Sequence, residues 1–548
     1  MHRSLFCAGL IALFTASIAM DAGAAAIKTD LCSRKTGKRV TVTVLKASAD
    51  FYDVLNEDGE RIVLQASGYE QCAAAAAPAQ PQSGNTPPTA PATPAILTVV
   101  DPPIAPPQPN TLDTLRITGS NTVGQGILPH LIAGYAAKVG AQVAELPSDD
   151  PVRRTYELRK SPKDAPFLRI VVKASGSNTA LPDLVGKYAD AGVSSRPYTD
   201  QEIDKLIEIR GMGKRADIEH VIALDGVQFF VNKDNPATVM KLCDVAKVLG
   251  GKIKNWNELV PTFPAPVDIH TGDSRSGTYE IVTENLLEAC GETWSRARTP
   301  HNTQPEIISF VANSRGGIGY SAKALSASTV RPLRLKGQCG IETDPTPFNI
   351  KAEDYPLSRR LYLFMPHSYP DNARAFLDYV LASDAAQTAL KGTEATDQSI
   401  EEASGGDRRL EQGRALPENK DALAGQFSGD TARAKRLSIS YRFAANNATL
   451  DTKAEQDILR LVAYLRGNRI SGPVLLAGFA DSDGSRPANQ SLSQGRADAV
   501  KQAIAKLDPA LATPMTARGY GSVLPVACND TDIGKAKNRR VEVWLLTR

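Results

Sequence analysis

The sequence predicts a multidomain α/β chain, with a small β module at the front and an α+β sandwich at the end. Three observations carry this. A chain of 548 residues exceeds what one core organises, so two to four domains are expected. Through the middle, an extended apolar run, a Ser/Gly/Thr turn and a helical pattern recur in that order four times. Over residues 436–548 the patterns run strand, helix, strand, helix, strand.

Residues 1–25 read as a secretory signal. His2 and Arg3 are basic, Leu5 to Met20 is apolar, and Ala22 to Ala26 is a zone of small residues suited to cleavage. No later stretch approaches the roughly 18 apolar residues a membrane helix needs. The expectation is a signal-exported periplasmic protein. The formal charge of +3, from 63 Lys+Arg against 60 Asp+Glu, and the 6% aromatic content argue against nucleic acid as a partner. The 6 His and the absence of any Cys-x-x-Cys give no zinc pattern, and no metal or cofactor is expected.

Residues 26–72 read as a small β module. Val40, Val42 and Val44 alternate, and Asn56-Glu57-Asp58-Gly59 turns the chain before Ile62-Val63-Leu64. Cys32 and Cys72 bracket the module and are paired on that ground, a closure adding about 4 kcal/mol on the chain-entropy model. Residues 73–112 are rich in Ala, Pro, Gln and Thr, an extended linker. Two of Cys243, Cys290 and Cys339 are candidates to pair, and the sequence leaves open which, as it does for Cys528.

Residues 113–395 carry the recurring grammar. Leu115 to Gly119 runs into Ser120-Asn121-Thr122-Val123-Gly124, and Leu128, Leu131, Ile132 and Tyr135 then share a helical face. Ile170 to Val172 leads into Ser175-Gly176-Ser177-Asn178-Thr179. Ala191 to Val193 leads into Ser194-Ser195-Arg196-Pro197, with a helix start at Thr199. Val267 to Ile269 leads into Thr271-Gly272-Asp273-Ser274-Arg275-Ser276-Gly277-Thr278. The first amides of a helix lack intrahelical partners and carry partial positive charge, which suits an anion. Gly277 permits close approach, Ser276 and Thr278 add hydroxyls, and Arg275 adds charge. The same residues also cap helices that bind nothing.

Several stretches here resemble one family: Ile117 to Val123, Gly192 to Pro197, Val221 to Gly226, Val231 to Pro236, Gly251 to Trp256, Gly316 to Tyr320 and Tyr355 to Arg359. Residues 113–395 are similar to periplasmic solute-binding proteins of the phosphate-binding type, the receptor subunits of phosphate ABC transporters. The resemblance implies two α/β lobes joined by hinge strands and closing on a dehydrated oxyanion. Its anion contacts fall on Thr122, the Val123 amide, Ser177, Ser276, Gly277 and Thr278. Two positions depart from the family. Gly272 stands where an arginine is common, and Ser195 stands where some members place an acceptor aspartate. Arg275 and Arg196 are the substitutes for the missing charge. An acceptor aspartate favours a protonated anion over sulfate, so its absence leaves the choice of oxyanion open.

Residues 396–435 turn polar and read as a linker with room for a short helix. Beyond them Leu437, Ile439, Tyr441 and Phe443 alternate, Thr452 and Glu455 suggest a capping box, and Ile458, Leu461, Val462 and Leu465 form a helical core face. Val474 to Ala477, a helix with Val500, Ala503, Ile504 and Leu507, and a strand with Val541, Val543 and Leu545 complete the unit. Gly478 to Gly484, Asn489, Leu492-Ser493, Arg496-Ala497, Gly519-Tyr520-Gly521 and Asn538 to Val543 then resemble an OmpA-like peptidoglycan-binding domain. Phe479-Ala480 stands where that family usually has His-Thr. The resemblance implies that Asp481 takes the ammonium and Arg496 the carboxylate of a diaminopimelate side chain, with Asn489 and Arg540 in support.

The two resemblances imply a phosphate or related oxyanion receptor held at the cell wall. An ABC transporter permease or another envelope protein is its further partner class. A scaffold whose receptor lobes have lost their ligand is the alternative. A phosphatase using Ser276 or Ser194 with His270 as base is a third, weaker one. No catalytic residue is expected.

Overall fold

The computed structural model describes five strands near the start of the chain and residues 112–546, with breaks at 212, 275, 323–328, 367–368, 383, 394, 404–415, 469 and 471. The signal segment, most of the Ala/Pro-rich linker and Cys72, hence the Cys32–Cys72 pairing, lie outside the described residues. Two compact units divide between Ile96 and Leu97. The first is an antiparallel sheet in the order Arg61–Gln65, Phe51–Leu55, Arg39–Ala47, Ile27–Ser33, Tyr69–Gln71.

The second unit opens with a seven-stranded mixed sheet. Its order is Glu219–Gly226, Ser358–Phe364, Ala191–Ser194, Asp113–Gly119, Leu168–Ala174, Arg153–Arg159, Gln142–Leu146. Leu168–Ala174 buries every second side chain, and the helix Leu128–Lys138 lays Leu131, Ile132 and Tyr135 on the core. The helix Asp200–Arg210 starts at a capping box of Thr199 and Glu202.

A second lobe is built on the five strands Arg298–His301, Asp268–Gly272, Gly317–Ser321, Gln228–Asn232 and Val330–Pro332, in that order. Its core centres on the fully buried Trp256. The chain crosses between lobes at Gly226–Gln228 and returns at Leu357–Ser358. The crossings are joined, because the Val227 amide donates to the Leu357 carbonyl at 3.2 Å and the Tyr355 hydroxyl donates to the Val227 carbonyl at 2.8 Å. Cys243 and Cys290 pair within this lobe.

The C-terminal sheet has the order Ala434–Arg442, Arg540–Leu546, Val474–Phe479, Thr516–Gly519. Helices Thr452–Gly467 and Arg486–Leu507 cover one face. Within the stretch read as a linker with short helix, Ala422–Thr431 is a helix that covers the other face. Its Phe427 is buried edge-on against Phe479, Tyr520 and Trp544, a burial stabilising by about 1.5–3 kcal/mol. The unit thus has three layers where two are expected from the sequence. The helix cap also differs from the sequence reading. Asp451, not Thr452, caps the helix, accepting from the Ala454 amide at 2.8 Å. Thr452 instead donates to Glu219 of the first lobe at 2.8 Å. Cys339 and Cys528 join the second lobe to this domain.

Candidate functional site

Three parallel strands of the first lobe set up one site. Ile117, Thr118 and Gly119 pair with Val172 to Ala174 on one side and with Ala191 to Val193 on the other. The turns that follow therefore leave the sheet side by side. Gly119 has φ 130°, and a Cβ there would lie 2.0 Å from the Val193 carbonyl oxygen, so this exit admits only glycine. The hydroxyls of Ser120 and Ser195 meet at 2.5 Å, and the Ser195 amide donates to Ser177 Oγ at 3.1 Å.

The strand Asp268–Gly272 brings its turn from the second lobe. Ser276 caps the following helix by accepting from the Tyr279 amide at 3.2 Å. Gly277 meets the first lobe directly. A Cβ on it would sit 2.7 Å from Ser195 Oγ and 3.1 Å from both Thr122 Oγ1 and Arg359 Nη1. Thr278 is buried beside it.

At the centre lies Arg359, just after the return crossing and 6% exposed. Its guanidinium donates to the Gly277 carbonyl and reaches Thr122 Oγ1 at 3.4 Å and Thr278 Oγ1 at 3.5 Å. Asp225, on the outgoing strand, holds it through Oδ2 at 2.9 and 2.6 Å. The arrangement brings Thr122, Ser177, Ser195, Gly277 and Thr278 into one contact network across the two lobes, with a buried cation among them. Such a group of hydroxyls and one guanidinium suits a small oxyanion. A cavity of about 450 Å³ opens beside Ser195 and Arg359.

The remaining residues singled out in the sequence sit differently. The Val123 amide reaches Ser120 Oγ at 3.4 Å. Arg196 turns to Glu202, at 2.9 and 2.8 Å, and to Asn178. That pairing holds the Glu202 carboxyl down at about 2. Arg275 lies outside the described residues. Arg359 was not assigned a role from the sequence, although it ends the Tyr355 to Arg359 stretch. Its signal is its position: the first of two adjacent arginines on the strand Ser358–Phe364, which the topology returns to the interlobe boundary. His270 meets His301 at 3.0 Å and Asp268 at 3.0 Å. Ser194 and Ser276 are engaged with backbone groups. Among the described residues no group of three or more His, Cys, Asp or Glu is placed to hold a metal ion.

In the C-terminal domain the strand Val474–Phe479 delivers Asp481 and the helix Arg486–Leu507 presents Asn489 and Arg496. Arg496 is fully buried and donates to the carbonyls of Asn447 at 3.0 Å, Phe479 at 3.0 Å and Ala444 at 3.1 Å. Burial pulls its guanidinium down to about 10, with Asp481 opposing the shift. Asn489 Nδ2 donates to the Asp481 carbonyl at 3.2 Å. Asp481 Oδ2 accepts from Arg539 at 2.9 Å. Arg540 points elsewhere, over the Phe479 ring at 4.0 Å and onto Glu542 at 2.7 Å. The cation beside Asp481 is instead Arg539, which ends the helix Asp532–Asn538 just before the strand that begins at Arg540.

Residues 105–384 match the model of the PBP superfamily domain, and residues 442–539 match the OmpA family. The chain belongs to the PBP superfamily. A phosphate-binding protein PstS of Pseudomonas aeruginosa is 31% identical to this PBP superfamily member over 247 residues, 41% of this chain and 73% of the relative. An ABC-type phosphate transport receptor from Vibrio cholerae is 19% identical, with a TM-score of 0.38 over 51% of this chain and 98% of that one. The peptidoglycan-associated lipoprotein of Burkholderia pseudomallei is 27% identical, with a TM-score of 0.18 over 19% of this chain and 88% of that one. Among the described residues no helix is long and apolar enough to cross a membrane.

Proposed function

We propose that this chain is a periplasmic oxyanion receptor, phosphate foremost, held at the peptidoglycan by its C-terminal domain. The receptor spans residues 113–395 and the wall domain residues 436–548. One observation supports the receptor reading above the others: Thr122, Ser195, Gly277 and Thr278, from loops of both lobes, gather around the buried guanidinium of Arg359. Asp225 neutralises that cation without taking up the hydroxyls. The receptor binds and releases its ligand without chemistry, and serves uptake or sensing of phosphate in the envelope.

The wall reading is supported by Asp481, with Arg539 at 2.9 Å and the buried Arg496 on the adjoining helix, an anion and cations suited to the zwitterionic side chain of diaminopimelate. Titration calorimetry of the full-length protein with phosphate, sulfate and molybdate tests the receptor. Phosphate is expected to bind tightest, and no heat from any of the three would leave the scaffold reading in its place. Co-sedimentation with peptidoglycan sacculi tests the wall domain. Asp481→Ala with Arg496→Ala is expected to leave the protein in the supernatant, and unchanged pelleting would remove these two residues from the site.

A further inference from the structure

We propose that the C-terminal domain is a latch across the interlobe cleft, fixed covalently to the second lobe and held to the first by contacts that break when the cleft opens. On the second-lobe side the attachment is the Cys339–Cys528 disulfide. Around it Arg436 and Arg442 both pair with the buried Asp354, at 2.5 and 3.1 Å. Lys537 donates to the carbonyls of Glu353 and Tyr355 and to Ser358 Oγ, at 3.0, 2.9 and 3.0 Å, and so grips the return crossing itself.

On the first-lobe side the contacts come from the start of one helix. Asp451 Oδ2 lies 2.6 Å from Arg360 Nη1, and Thr452 Oγ1 donates to Glu219 at 2.8 Å. Farther along, Arg460 donates to Gln398, whose side-chain amide donates to the Val221 carbonyl. Arg360 and Glu219 belong to the paired strands that form the edge of the first-lobe sheet. One domain therefore touches both lobes across the crossings. The attachments differ in kind, since a disulfide persists in an oxidising compartment while the first-lobe side-chain contacts are hydrogen bonds and one ion pair, set beside the main chain that leads from Thr396, bridged to Leu224, to Glu402, bridged to Leu437. A hinge motion that draws Gly277 away from Ser195 and Thr122 must pull on Asp451 and Thr452, because Cys528 travels with the second lobe.

Amide hydrogen exchange on the full-length chain in anion-free buffer tests this without reference to any ligand, so it stands whether or not the receptor reading does. The reporting amides are residues 122–127 and 276–282, which face the cleft. The first variant is Asp451→Asn with Thr452→Val, in which asparagine keeps the helix cap and the charge pair and hydroxyl are lost. The second is Cys339→Ser with Cys528→Ser. The first variant, which loses a charged hydrogen bond and an ion pair, is expected to speed exchange at the cleft by at least about tenfold, and the second, which loses the covalent closure, by at least about tenfold as well. The core strand Leu168–Ala174 is expected to exchange at the wild-type rate in both. Cleft amides at the wild-type rate in either variant, or rising only in step with 168–174, would overturn the latch.

Discussion

Replacing Gly277 with alanine adds one methyl group at the point where the lobes meet. The new carbon would lie 2.7 Å from Ser195 Oγ and 3.1 Å from Thr122 Oγ1 and Arg359 Nη1. Non-bonded heavy atoms sit comfortably at roughly 3.5 Å or more, so the shortfall at Ser195 is about 0.8 Å. None of the three neighbours yields freely. Ser195 Oγ is held 2.5 Å from Ser120 Oγ, and Arg359 is pinned by Asp225. Overpacking of this kind costs about 1–3 kcal/mol. At 1.4 kcal/mol per decade, phosphate affinity should fall roughly 5- to 150-fold. The backbone itself accepts the change, because Gly277 opens a helix and has no positive φ. Parting of the lobes relieves the crowding, so the melting temperature without anion should move little. Gly425→Ala is the control, as a Cβ there meets nothing within 4 Å; it should leave affinity unchanged. Calorimetric titration with phosphate reads the effect. An unchanged dissociation constant for Gly277→Ala would refute the claim that the anion is held where Gly277 meets Ser195 and Thr122.

Arg359→Met leaves Asp225, 1% exposed, as a buried charge without its cation. Removing one partner of such a pair costs about 3–5 kcal/mol, readable by urea unfolding, and adding Asp225→Asn should recover a large part of it. Equal stability of single and double variants would show that the pair is not coupled. For Lys537, burial pushes the ammonium down to about 7, with Arg442 adding to the effect. A lysine in the unfolded chain keeps its proton to a pH near 10. Between those values the unfolded state binds more protons, so stability should rise with pH from about 7 to about 10. Lys537→Met should flatten that rise in a series of thermal scans, and an equal slope in both proteins would assign it to other groups.

Much of this architecture is legible in the residues. The alternation in Leu168–Ala174, the heptad-like spacing of Leu131, Ile132 and Tyr135, and the Thr199–Glu202 box mark elements by local periodicity and capping alone. The helix Ala422–Thr431 is harder to read. Gly425, Ser428 and Gly429 give it a polar, turn-like composition, and its one large anchor, Phe427, has value only when the sheet is present. The cap at Asp451 was missed by one position because Thr452 also fits a cap, and its hydroxyl is spoken for by a residue more than two hundred positions away. Arg359 could not be placed from sequence for a related reason. Its role comes from a strand that returns across the lobe boundary, and no local pattern encodes which side chain ends up between two loops that far apart. Arg539 and Arg540 show the limit at its sharpest: two neighbouring arginines, one closing a helix and facing Asp481, the other opening the last strand and facing the buried Glu542.

The bond between Cys339 and Cys528 spans 189 positions. It makes the peptide backbone between those cysteines redundant as a mechanical link between the second lobe and the C-terminal domain. A protease that nicks the chain once anywhere in that interval frees neither half, and the fragments separate on a denaturing gel only after reduction. Tension between the two domains is thus carried by sulfur as well as by the main chain, and one cut between them does not part them.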